Sequence, residues 1–103
     1  MKNLIVLFKL KPGVSREAYE AWARSTDLPI VRALPSVARF DVFRLQGLYG
    51  SGAAAPFDYV EVIDVRDFGV FGTDVGSDTM KRVAGEFRNF ADNPVFILGE
   101  ALN

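Results

Sequence analysis

Leu4-Ile-Val-Leu-Phe-Lys-Leu10, closed by Lys11-Pro12-Gly13, decides how the rest of the chain must be arranged. It is short, rich in branched and aromatic residues and bounded by turn formers, so it reads as a β-strand. Leu4, Val6, Phe8 and Leu10 fall on one side of it, Ile5 and Leu7 on the other. A strand with one wet face alternates apolar with polar residues. This one does not, and is expected to be covered on both sides.

Outward from that strand, Ser15 is placed as a helix N-cap, with Glu17 in the first turn and Val14 and Tyr19 at staple positions. Ala18, Ala21, Trp22 and Ser25 share one helical face. Asp27-Leu28-Pro29 restarts the chain, and Ile30, Val31 and Leu34 continue a short helix up to Pro35, which predicts a helix broken into two pieces. Residues 37–45 read as a second strand, with Phe40, Val42 and Arg44 opposite Arg39, Asp41 and Phe43. The glycine-rich stretch 47–56 is a loop long enough to act as a lid, and it lacks the strand-loop-helix setting and the Lys-Ser/Thr of a phosphate loop. Residues 57–65 form a third strand, with Asp58, Val60, Val62 and Asp64 opposite Tyr59, Glu61, Ile63 and Val65. A helical turn over 67–73 follows. Ser77 then caps a helix carrying Met80, Val83, Ala84, Phe87 and Phe90. Gly85 inside that helix costs about 1 kcal/mol against Ala and is read as permitting close approach to the sheet. Asn93-Pro94 ends the helix, and 95–98 is a last strand.

The order β-α-β-β-α-β over residues 1–103 predicts one α+β domain: a four-stranded antiparallel sheet with helices on one face, the ferredoxin-like arrangement. Helices on one face leave the other bare. Leu4, Val6, Phe8, Tyr59, Ile63 and the mid-strand Glu61 are assigned to that bare face, with Arg39 as the partner of Glu61. At roughly 25 cal/mol per Å² of apolar surface, leaving it wet forfeits several kcal/mol. The expected remedy is a homodimer packed sheet to sheet, a dimeric α+β barrel.

Composition narrows the chemistry. There is no histidine and no cysteine among the 103 residues. That removes zinc hydrolysis, Ser-His-Asp and Cys-His nucleophiles, and thiolate metal sites. No other ligand spacing suggests a metal, and no cofactor is expected. A net charge of -1 with scattered basic residues gives no footprint for nucleic acid or for an anionic membrane. No apolar run approaches the ~20 residues of a membrane span. A cytoplasmic protein is the expectation.

With that layout, Asn3-Leu-Ile-Val-Leu-Phe-Lys-Leu-Lys11 resembles the opening strand of the dimeric α+β barrel proteins. The run from Trp22 to Val37, Trp-Ala-Arg-Ser-Thr-Asp-Leu-Pro-Ile-Val-Arg-Ala-Leu-Pro-Ser-Val, is similar to that of the RedY-like proteins of prodiginine pigment biosynthesis, and the likeness extends over essentially the whole chain. It implies a pocket between the sheet and the helices of each subunit, lined by Asn3, Ile5, Leu7, Val60, Val62, Trp22 and Phe40, with Asp58 and Arg44 near its ends. Asn3 stands where plant-type cyclases of this fold carry a histidine, and Asp27 where the EthD-type members carry one before the same proline. The cyclases' His–Tyr dyad therefore does not operate here.

Asp27 and Asn3 are the candidate catalytic residues. Asp27 reads either as a helix N-cap ahead of Pro29 or as a buried general base and anchor for a pyrrole N–H. Asn3 reads as a group positioning a substrate carbonyl or as an edge residue bonded to backbone. Trp22 stacks on a flat ligand or fills the core. Asp58 and Asp64 share a face of one strand, yet six residues separate them by about 20 Å, too far for a dyad. Three functions follow: a pathway enzyme acting on a flat, apolar, pyrrole-type intermediate by cyclisation, dehydration or proton transfer; a non-catalytic carrier; or a stress-type barrel without a dedicated ligand.

Overall fold

The first strand, β1 (Lys2–Leu10), pairs on both edges in the computed structural model, which describes residues 1–103. On one side it meets β3 (Tyr59–Val65) and on the other β4 (Ala91–Glu100); β2 (Val37–Arg44) closes the sheet beyond β3. All pairings are antiparallel and the order is β2-β3-β1-β4, the ferredoxin-like arrangement expected from the sequence. Helices α1 (Arg16–Trp22), α2 (Leu28–Arg32), α3 (Phe68–Val75) and α4 (Asp78–Phe90) supply the second layer. None is long and apolar enough to cross a membrane.

The predicted caps hold. Ser15 Oγ accepts from the Ala18 N–H at 3.1 Å and Ser77 Oγ from the Met80 N–H at 3.2 Å. Asp67 does the same for α3, which is a helix of two turns rather than one. The expected break before Pro29 is instead a wide π-turn, Ala23–Asp27, that joins α1 to α2 without interruption. Pro29 has no N–H to offer the carbonyl four residues back, and the chain absorbs that loss by bonding the Leu28 N–H to the Ala23 carbonyl five residues away. Asp27 is therefore helical and makes no capping bond, so the N-cap reading is wrong. The buried face of this helical stretch is Tyr19, Ala23, Asp27 and Val31; of the expected face of Ala18, Ala21, Trp22 and Ser25, only Trp22 packs against the core and the other three are exposed.

β4 begins as soon as α4 ends, four residues earlier than expected. Asn93, at φ 46°, and Pro94 sit where the β1–β4 register slips between Leu7 and Lys9, a bulge in an edge strand where proline is tolerated. Gly85 is exposed and a Cβ there would meet nothing within 4 Å, so it serves no close approach.

The largest correction concerns which side of the sheet the helices cover. Val6, Phe8, Tyr59 and Ile63 are buried beneath them within a single chain. Phe8 lies 5.0 Å from Phe87 and 5.3 Å from Tyr19, ring centre to ring centre, both edge to face. Phe40, Met80 and Val83 close a second cluster around Val31 and Ile63. By the pleat, Ile5, Leu7, Val60 and Val62 occupy the helix-free face, together with Phe43, Val95 and Ile97, three of the large apolar residues left exposed. Alternation separates the two sets of residues; it does not say which set meets the helices. The bulk of Tyr19, Phe87 and Met80 decides that, by matching the aromatic set.

Candidate functional site

Between the two clusters lies a cavity of about 270 Å³. Its walls are apolar: Leu4, Val6 and Ile63 from the sheet, Val31 from α2, and Met80, Val83 and Phe87 from α4. The exposed side chains of Arg88 and Phe96 stand at its rim. Only two buried polar side chains reach into it, Asp27 and Glu61, at 5 % and 6 % exposure.

Each carboxylate arrives for a local reason. Tyr19, Ala23, Asp27 and Val31 are spaced by four, a repeat that drifts by about 40° per step around a regular α-helix. The π-turn winds this drift back and keeps Asp27 on the buried face. Glu61 sits between Tyr59 and Ile63 on the inward side of β3, where any residue is forced under the helices. The two side chains are within hydrogen-bonding reach of each other, and the Tyr19 hydroxyl donates to Glu61 Oε2 at 3.3 Å.

Burial pushes the Asp27 carboxyl up to about 6, opposed by its hydrogen bond with Glu61. Burial first, and then the charge of Asp27, raise Glu61 well above the ordinary carboxylate range. Burial and the nearby Glu61 and Asp27 charges raise the Tyr19 phenol as well, so it stays a donor. Two acids this close in a dry site do not both ionise. Near neutral pH the pair shares one proton and carries one charge. That is an acid and a base side by side, separated by environment rather than residue type.

Of the residues proposed from sequence, Asp27 and Phe40 line this cavity. Arg44 belongs to a smaller neighbouring one, of about 130 Å³, where its Nε bonds Glu20 Oε2 at 2.7 Å beside Tyr59. Arg44 and Tyr59 together draw Glu20 down to about 2. Trp22 packs between helices, its indole N–H on Glu86 at 2.9 Å and its ring 5.2 Å from Phe90. Asp58 accepts the Leu10 N–H at 2.8 Å and lies 3.5 Å from Arg16. Ile5, Leu7, Val60 and Val62 lie on the far side of the sheet, as does Asn3, which donates to Asp64. Asn3 and Asp27 thus stand on opposite faces and do not address one bound molecule. Arg39, nominated to pair with Glu61, pairs with Asp41 on the open face.

The sequence pattern assigns Glu61 to the bare face and gives Tyr19 only a staple position in α1; the structure buries Glu61 under the helices and sets the Tyr19 hydroxyl on it. The available signal was a carboxylate flanked at two-residue spacing by Tyr59 and Ile63; once that set is known to face inward, Glu61 must be in the core.

The fold agrees with what the chain resembles. No curated protein matches it. Among solved structures, HapK from Hahella chejuensis is 32% identical with a TM-score of 0.78, the match covering 99% of this chain and 93% of that one. SnoaB, a cofactor-independent oxygenase from Streptomyces nogalater, is 16% identical with a TM-score of 0.74, over 99% and 93% of the two chains. A dimeric ferredoxin-like protein of unknown function from Thermobifida fusca is 17% identical with a TM-score of 0.71, over 97% and 90%. The last two share the fold alone. The family model described as REDY-like protein HapK matches residues 2–102, and the chain belongs to that family.

Proposed function

We propose that the protein binds a flat, apolar, pyrrole-type intermediate of prodigiosin-type pigment biosynthesis between its sheet and helices, and moves a proton on it. The observation that carries this reading is the buried Asp27–Glu61 pair in a cavity whose other lining residues, save Arg88 at the rim, are apolar. The volume of about 270 Å³ equals roughly nine waters at the liquid value, room for one or two fused or linked rings. In the step the pair is built for, the Asp27 carboxylate takes a proton from the ligand while the Glu61 acid gives one to a departing hydroxyl or to a second ring position. The proton then passes from Asp27 back to Glu61 across their shared bond. Cyclisation with loss of water and tautomerisation both fit that exchange, and neither needs a cofactor.

The bare apolar face supports a second element of the proposal, a homodimer closed sheet to sheet. Its interior would then hold Ile5, Leu7, Val60 and Val62, with the Asn3–Asp64 pair near one end. A carrier that shelters an unstable intermediate uses the same cavity without turnover, and the absence of histidine favours it.

Purified protein mixed with pathway intermediates separates these readings. Conversion by the protein alone, falling at least about 100-fold in Glu61→Gln and in Asp27→Asn, supports catalysis. Binding without conversion assigns the carrier role, and conversion unaffected by both substitutions removes the acid pair from the mechanism.

A further inference from the structure

The buried Asp27 carboxylate has no cation of its own. Glu61 and Tyr19 are its titratable neighbours, from β3 and α1. The one basic residue lining the cavity is Arg88 of α4, and its side chain is at the exposed rim. α3 and β4 contribute only Phe71, Val75, Pro94 and Phe96. Arg39, on the opposite face of the sheet, is already engaged with Asp41. Elsewhere in the molecule even carboxylates that keep some water are matched: Glu20 by Arg44 and Arg24, and Asp74 by the Ser36 backbone N–H and hydroxyl. A buried charge without a counter-ion is unstable unless something else supplies one.

We infer that the ligand itself supplies the missing counter-ion: the cavity takes a flat aromatic cation, such as a conjugated iminium or a protonated ring nitrogen, with its positive nitrogen against Asp27. The inference rests on the cavity being the binding site proposed above and adds the charge state of what enters it. It assigns separate roles to the cavity walls, which select flatness and lack of polar groups, and to the acid pair, which selects sign. Such a cation also suits the proposed chemistry, because a positive nitrogen acidifies the adjacent N–H or C–H that Asp27 would deprotonate.

Three probes of one size test this: N-methylquinolinium, its neutral isostere 1-methylnaphthalene, and 1-naphthoate, each titrated into the full-length protein and followed by ligand-observed NMR. The permanently charged probe is expected to bind at least about tenfold more tightly than the neutral one at pH 8, with the anion weakest. Its advantage should grow as pH rises through about 6, where Asp27 loses its proton, and disappear in the double variant Asp27→Asn/Glu61→Gln. Equal or tighter binding of 1-methylnaphthalene or 1-naphthoate overturns the inference while leaving the cavity as a binding site. So does a cation preference that survives in the folded double variant. Failure of all three probes to bind overturns both.

Discussion

The two faces of the sheet carry nearly the same kind of residue and meet different fates. Val6, Phe8, Tyr59 and Ile63 point one way and are sealed by helices; Ile5, Leu7, Val60 and Val62 point the other and remain half-open. Polar residues interrupt both faces, also to different effect. On the covered face Glu61 meets Asp27 in a dry cavity, and on the open face Asp64 meets Asn3 at the end of the sheet. Apolar character alone therefore does not separate a covered face from an open one. What separates them is whether the same chain brings a second layer.

That contrast breaks first where packing is tightest. Phe8→Ala removes a fully buried ring from the centre of the aromatic cluster and is expected to destabilise the chain by about 3–5 kcal/mol in urea denaturation. Val62→Lys, on the open face, should leave secondary structure intact by circular dichroism but weaken the proposed self-association roughly a hundredfold in sedimentation experiments. If Val62→Lys unfolds the protein and Phe8→Ala does not, the two faces have been assigned in reverse.

A smaller effect sharpens the comparison through pH. Because the folded-state Asp27 is raised to about 6, its stabilising contribution is complete below the ordinary carboxylate range and is lost as pH rises through about 6. Asp27→Asn should match the parent near pH 4 and exceed it by on the order of 2 kcal/mol at pH 8, read from denaturation midpoints. Glu20 runs the other way. Held down to about 2 by Arg44 and Tyr59, it contributes stability above the ordinary range that is lost only as pH falls through about 2. Melting temperature in the parent should thus fall between about pH 4 and pH 6, and fall less in Asp27→Asn, where the buried Glu61 alone is left to lose its proton.

The parts of this fold that are legible in the sequence are those written locally. Ser15 and Ser77 announce helix starts, the spacing from Met80 to Phe90 announces α4, and the order of elements leaves few topologies to choose from. The side of the sheet on which the helices settle is not local, since a period of two gives the same pattern either way up. The acid pair was hidden for the same reason. Asp27 and Glu61 are 34 positions apart, on a helix and on a strand, and nothing in either neighbourhood names the other. Asp27 was found as a candidate because the residue pattern around it is distinctive, whereas Glu61 could be read correctly only after the sheet had been oriented.

The wide turn ahead of Pro29 has a wider consequence. The extra residue in that turn holds Asp27 in line with Tyr19, Ala23 and Val31. Wound as a plain α-helix, the same sequence would carry that carboxyl progressively around the helix and away from Glu61. The acidity of the pocket is thus set by a single irregularity of the backbone as much as by the two side chains.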